Sequence, residues 1–210
     1  MASLPARARA AAGAYRRHRD LRVLPPAVAW YLLRARLLAE RRDEDWARFS
    51  SLPTDSLARL LDLAADARDV VELGTAMGWT TGALALARPD RTVTSYDVVR
   101  YDGRAHYLGL LGGSVRARIE LVTAPGAGGP PGGGRSVDLV FVDASHDRGQ
   151  TAAEFSAWRP AVGPGGVVVF HDYGNPDFPG VAEAIHADLG LAGEAVGDMF
   201  VWRNGRATRP

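Results

Sequence analysis

The chain has 210 residues, of which 47% are hydrophobic, with 25 basic side chains against 24 acidic ones. Such a chain suits one well-cored α/β domain with a short extension, and its balanced charge leaves no global pull toward nucleic acid or an anionic membrane. It contains no Cys, which excludes disulfides and thiolate chemistry and permits a reducing compartment.

Every basic residue is Arg, and with the heavy use of Ala and Gly this reads as the imprint of a GC-rich bacterial genome rather than as a functional signal. Residues 1 to about 22 carry six Arg and one acid, Asp20. A frayed or helical surface segment is expected there, the alternative being a contact for an anionic partner. No uninterrupted apolar h-region follows, so the start does not read as a signal peptide. No stretch approaches the roughly 20 apolar residues of a membrane-spanning helix, and a cytoplasmic protein is expected.

"PAVAWYLLRARLLAERR" (Pro26 to Arg42) predicts an amphipathic helix, with Val28, Tyr31, Leu32, Ala35 and Leu38 at spacings of three and four. It can pack on the main domain or mediate a homo-oligomer. Pro53 and Thr54 punctuate the chain, and Asp55 to Asp66 predicts a second helix with Leu57, Leu60, Leu61 and Ala64 on one face. The division expected is a helical extension over residues 1–52 and a main domain over 53–210.

From there short β-rich runs alternate with helical stretches. "DVVEL" (Asp69 to Leu73), "RTVTSYD" (Arg91 to Asp97), "RIELV" (Arg118 to Val122), "VDLVFVD" (Val137 to Asp143) and "GVVVFHD" (Gly166 to Asp172) predict five strands. Helices are expected around Tyr107 to Leu111, Thr151 to Arg159 and Val181 to Leu189. The alternation argues for βαβ units and a Rossmann-like, doubly wound, mostly parallel sheet buried on both faces. "MFVWR" near the end adds one or two closing strands. "APGAGGPPGGGR" (Ala124 to Arg135) predicts a flexible loop, either a surface insertion or a mobile lid.

In an open α/β sheet, ligands bind beyond the carboxyl ends of the strands. Strand one runs into "ELGTAMGWTT", where Gly74 and Gly78 allow a tight turn and close backbone approach. The dinucleotide fingerprint G-x-G-x-x-G is absent, because position 76 is Ala. Asp97 ends strand two about 20 residues on, where a carboxylate can accept from both hydroxyls of a ribose.

"VVELGTAMGWTTGALA" together with Asp97 resembles motifs one and two of the class I S-adenosylmethionine-dependent methyltransferases, and the likeness runs over roughly residues 55 to 203. The resemblance implies that Glu72 lies near the amino-acid moiety of the cofactor, that the Gly turn passes beneath the nucleoside and that Asp97 takes the ribose. It thereby assigns Glu72, Gly74, Thr75, Ala76, Gly78, Trp79, Thr80, Asp97 and Asp143 to S-adenosyl-L-methionine.

Strand four delivers Asp143, and strand five delivers His171 and Asp172, to one carboxyl edge with strands about 5 Å apart. Carboxylates converging there repel unless a proton or cation intervenes. A divalent cation, Mg²⁺ or Mn²⁺, held by Asp143, Asp172 and His171 is one solution, and it would acidify a substrate hydroxyl. His146, three residues after Asp143, is suited to remove the hydroxyl proton.

This edge resembles small-molecule O-methyltransferases of the macrolide-sugar and catechol types. They place one acid at the end of strand four, an acidic pair at the end of strand five, and a base just after the strand-four acid. His171 departs from the macrolide-sugar pattern, which has a second carboxylate there; it suits Mn²⁺, Fe²⁺ or Zn²⁺ better than Mg²⁺, or means that no metal binds.

Asp147 is expected to face solvent or pair with Arg148, and His186 to be structural. "NPDF" (Asn175 to Phe178) is expected to be a turn leading into a helix with Pro179 near its first position. The function expected is methylation of a small hydroxylated natural-product sugar or phenol. The alternatives are a methyltransferase-fold binding protein that does not transfer methyl groups, and a protein or nucleic-acid methyltransferase.

Overall fold

The structure, a computed structural model, describes Gly13, residues 17–132 and residues 136–205. Arg7, Arg9 and Arg16 of the Arg-rich start, and the end of the Gly/Pro-rich loop at 133–135, lie outside the described residues.

Seven strands form one sheet, β1 (Asp69–Leu73), β2 (Thr92–Asp97), β3 (Ile119–Thr123), β4 (Val137–Val142), β5 (Val162–Phe170), β6 (Glu194–Val196) and β7 (Met199–Arg203). Their spatial order is β3-β2-β1-β4-β5-β7-β6. The first five run parallel, and the last two close the sheet as an antiparallel hairpin on β5. This is the Rossmann-like class I methyltransferase fold.

The Val-rich strands are buried because each feeds two cores at a period of two. Val70, Leu139, Phe141, Val167 and Val169 join the cluster on one face, while Val71, Leu73, Val140, Val142, Val168 and Phe170 join the cluster on the other. The first face is covered by α1 (Pro26–Arg42), α3 (Thr54–Leu63) and α4 (Trp79–Ala87), and α2 (Asp45–Phe49) joins the same cluster through Ala47. The second is covered by α7 (Arg148–Trp158) and α8 (Pro179–Glu183), while α5 (Arg104–Leu108) and α6 (Gly113–Arg116) join the first through Tyr107, Leu108 and Val115.

The helical extension is part of the first core. Leu21, Val28, Tyr31, Leu32 and Ala35 share that cluster with the strands, and the Tyr31 hydroxyl donates to the Gly78 carbonyl at 3.3 Å. At Gly82 a Cβ would sit 2.6 Å from the Tyr31 hydroxyl, so glycine there lets α1 lie directly on α4. Arg91, although charged, is 1% exposed, and its guanidinium donates to the carbonyls of Ala64, Ala67 and Leu84. It thereby ties the end of α3, the approach to β1 and α4 together.

Several boundaries differ from expectation. β5 begins at Val162 rather than at Gly166, because Gly163 to Gly165 continue the strand with a register shift against β4. The helix expected at Tyr107 begins earlier, at Arg104. The one expected over Val181 to Leu189 is a short α-helix from Pro179 followed by a π turn over Ala184–Asp188. The Gly/Pro-rich loop contains a 3₁₀ turn at Gly126–Gly128, fastened by the Trp158 indole donating to the Gly126 carbonyl at 2.7 Å. Among the described residues, no helix is long and apolar enough to cross a membrane.

Candidate active site

Register explains why the site residues meet. Leu73 pairs with Val142 and Val142 with Phe170, so the next residues, Gly74, Asp143 and His171, emerge side by side at the carboxyl edge. The ladder continues one step further, with Asp143 N donating to Leu73 O and His171 N to Val142 O. Gly74 has φ of 107°, and a Cβ there would stand 2.0 Å from the Asp143 carbonyl oxygen. This turn therefore requires glycine on steric as well as conformational grounds.

A cavity of about 840 Å³ opens over these strand tips, spanning the turn from Gly74 to Met77, Asp97, Asp143, His146, Glu154, His171 and Asp172. It lies at the switch point between β1 and β4, where strand order reverses, as expected for a ligand site in an open α/β sheet.

At one end stand two acids and two imidazoles. Asp143 Oδ1 is 3.1 Å from His146 Nε2 and 2.8 Å from His171 Nδ1, and Asp172 Oδ2 is 3.1 Å from both nitrogens. The other nitrogen of His171, Nε2, lies 3.2 Å from Asp198 Oδ2, an oxygen that also accepts from Ser56 Oγ at 2.6 Å.

Burial opposes a charge on His171, but hydrogen bonds to Asp143 and Asp172 outweigh it and push the imidazole up to about 10. Burial likewise opposes ionisation of Asp143 and Asp172, while their hydrogen bonds to the imidazoles lower the first and bring the second to about 2. At neutral pH the carboxylates are thus held together by an internal cation, the imidazolium of His171.

His146 and Asp172 both have φ of 57°, a left-handed conformation that His and Asp tolerate better than most residues. The His146 ring is fixed against Phe178, with centroids 4.5 Å apart.

The four side chains fit a divalent ion, since each offers a donor atom and these atoms lie within 4.8 Å of one another. Two imidazoles with two carboxylates match Mn²⁺, Fe²⁺ or Zn²⁺ better than Mg²⁺.

At the other end, Asp97 lines the cavity but is already engaged. It accepts from Ala76 N at 2.9 Å, from Val99 N at 2.8 Å and from Arg104 Nη2 at 2.8 Å. A carboxylate has about four acceptor sites, which leaves room for one ribose hydroxyl where two were expected. Arg104 is buried, and it also donates to the carbonyls of Ala76 and Val99, clamping the turn to the β2 tip.

Glu72 does not reach the cavity wall. It is fully buried beneath the turn, where its Oε2 accepts from Thr81 and Ser95 hydroxyls, and burial raises its carboxyl to about 8. Expected near the amino-acid moiety of a cofactor, it supports the turn from below, with its Oε1 free of any protein partner. Gly74, Thr75, Ala76, Trp79 and Thr80 line the cavity; Gly78 caps α4 behind it with φ of 77°.

Trp79 Nε1 and Ser50 Oγ, both on residues of the cavity wall, are buried with no protein partner. Asp147 caps α7 by accepting from Gln150 N, and His186 bonds Tyr173 away from the cavity. Asp198 and Arg104 escaped the sequence reading. Asp198 sits in a hairpin turn 27 residues from His171, and Arg104 lacks any local pattern.

The fold and the switch-point cavity define an α/β enzyme that binds a nucleoside-type cofactor at its strand tips. Residues 71–173 match the family model described as a methyltransferase domain, and the chain has the class I S-adenosylmethionine-dependent methyltransferase fold.

No curated protein sequence matches the chain. Among solved structures it is similar to cofactor-bound Rv0187 from MTB, at 23% identity and a TM-score of 0.62, covering 87% of this chain and 90% of that one. It is similar to the O-methyltransferase TomG from Streptomyces achromogenes, in complex with SAM, at 21% identity and a TM-score of 0.60, covering 87% and 91%. It is also similar to CalS11, a TDP-rhamnose 3'-O-methyltransferase, at 20% identity and a TM-score of 0.54, covering 71% and 76%. At these identities the likeness is one of fold.

Proposed function

We propose that this chain moves the methyl group of S-adenosylmethionine to a hydroxyl oxygen of a small acceptor, with His146 as general base. One observation carries the reading: a single cavity joins the turn and Asp97 at one end to the Asp143, His146, His171 and Asp172 cluster at the other. The O-methyltransferase names of TomG and CalS11 support oxygen as the accepting atom.

S-adenosylmethionine, when bound, supplies an electrophilic methyl on sulfur. The backbone of Gly74 to Ala76 cradles the nucleoside, and the remaining acceptor site of Asp97 takes one ribose hydroxyl. At the cluster, His146 Nε2–H donates to Asp143 and Asp172, which leaves Nδ1 as the basic nitrogen, and Phe178 keeps the ring in place. His146 Nδ1 would take the proton of the acceptor hydroxyl as its oxygen receives the methyl group, which would leave the cofactor as a neutral thioether. Holding oxygen and methyl in line supplies much of the rate, and the positioned base contributes about 10² to 10⁴.

A divalent cation, if it takes part, is held by Asp143, Asp172 and His171, and would acidify the acceptor hydroxyl. Loading it requires His171 to release the proton that its Nδ1 shares with the two acids.

Calorimetric titration of S-adenosylhomocysteine into the full chain tests the cofactor assignment. Saturable one-to-one binding is expected; no binding of either S-adenosyl compound, with binding of another nucleotide instead, refutes it. Turnover unaffected by exhaustive chelation removes the cation.

A further inference from the structure

Among the described residues, the cavity wall carries six ionisable groups of acid or imidazole type, Asp97, Asp143, His146, Glu154, His171 and Asp172, and not one Arg. The nearest cation behind the wall, Arg104, spends its guanidinium on Asp97 and on the carbonyls of Ala76 and Val99. Both nitrogens of His171 are taken by carboxylates. No described cation of the cavity wall is left for a phosphate or carboxylate that an acceptor brings to the cluster, and such an anion, without the ammonium that accompanies the carboxylate of the cofactor, would sit unpaired beside like charges, which is unfavourable away from bulk water.

The mouth has a different character. Trp46 and Phe49, on the short α2, are 49% and 82% exposed with ring centroids 5.8 Å apart, and Tyr101 stands 6.3 Å from Trp46. On the side of the cluster Phe178, 38% exposed, covers His146. Large aromatic rings left exposed together at a cavity rim mark a surface that a flat apolar partner covers. These rings and His146 line the same cavity.

We propose that the acceptor is an uncharged aromatic hydroxyl compound, its flat ring stacked on Trp46 and Phe49 and its hydroxyl at His146, and that acceptors carrying a phosphate, diphosphate or carboxylate into the cavity are rejected. The proposal rests on the methyl-transfer reading above and narrows its acceptor from sugar or phenol to a neutral phenol. It separates this chain from a nucleotide-linked sugar methyltransferase such as CalS11, despite the shared fold.

The test uses the full chain saturated with S-adenosylhomocysteine, titrated at neutral pH with naphthol, with its carboxylate analogue hydroxynaphthoate, and with a thymidine-diphosphate sugar. Naphthol is expected to bind at least ~30-fold more tightly than either anion, a difference that burial of one unpaired charge readily produces. Trp46→Ala is expected to weaken naphthol at least ~10-fold while S-adenosylhomocysteine still binds, and Trp46→Tyr to restore most of the loss. Equal or tighter binding of either anion, no naphthol binding, or naphthol binding indifferent to Trp46→Ala overturns the proposal. Failure of S-adenosylhomocysteine to bind overturns the methyl-transfer reading instead, so the two are told apart.

Discussion

Four non-glycine residues among those described have positive φ, namely Asp43, Ala76, His146 and Asp172, and three of them line the cavity. Each such conformation costs on the order of 1–2 kcal/mol, so the molecule keeps its backbone strain where its chemistry is. Gly74 and Gly78 carry the same turn by different means. At Gly74 a Cβ would meet the Asp143 backbone, whereas at Gly78 it would meet the movable side chain of Leu108 at 3.2 Å. Gly74→Ala is therefore expected to cost about 3 kcal/mol, by forcing the β1 and β4 tips apart, and Gly78→Ala about 1–2 kcal/mol, from its positive φ alone. Urea denaturation of the two variants measures this, and the reverse order of stabilities would contradict the account. At this scale the sequence made Gly74, Asp97, Asp143, His146 and Asp172 legible, because each ends a β-rich run or sits beside one. It hid what closes the shell: Ser56 reaches Asp198 across 142 residues, and no local pattern reports a contact of that range. The hydroxyls of Thr81 and Ser95 on Glu72 were hidden for a related reason, since a strand-end acid looks the same whatever its side chain meets.

At the scale of elements, strands β4 and β5 were readable because a parallel strand buried on both faces is a near-continuous apolar run, and β1 and β2 because Val and Thr favour strands. The start of β5 was not, because Gly163 to Gly166 have turn composition and become strand only through pairing with β4 and the loop at Asn204. The short helices α5 and α6 carry too few residues for a period to show. Arg91 shows how one residue locks elements together: its buried guanidinium satisfies three carbonyls at the ends of α3 and α4 and before β1. Arg91→Met keeps the bulk of the chain and strands those acceptors. It should lower stability by about 3 kcal/mol, read as a drop in the urea midpoint with an unchanged m-value; a loss below about 1 kcal/mol would show that the carbonyls find other partners.

For the whole molecule, the balanced composition conceals an uneven distribution of charge. The cavity wall gathers carboxyls and imidazoles, and one further carboxyl, Glu72, lies fully buried beneath it. Burial raises that carboxyl to about 8 despite hydrogen bonds from Ser95 and Thr81. Between the unfolded value near 4 and this raised value the folded state holds a proton that the unfolded state has lost, so Glu72 makes stability fall as pH rises, by up to about 1.4 kcal/mol per pH unit. Glu72→Gln removes that slope. Its stability relative to the natural chain, compared by denaturation from about pH 5 to about pH 8, should improve steadily with pH. A difference independent of pH would mean that Glu72 ionises normally. Composition alone reports none of this, because it counts charges without placing them.

His146 is the base on which the proposed transfer depends. The most direct measurement is single-turnover methyl transfer by His146→Asn, with the acceptor that the natural chain turns over fastest, alongside calorimetric affinity for S-adenosylhomocysteine. The account predicts that the chemical step slows by about 10² or more while the affinity changes less than about threefold, because His146 acts on the acceptor and not on the nucleoside. Transfer by His146→Asn within a few-fold of the natural rate would contradict it.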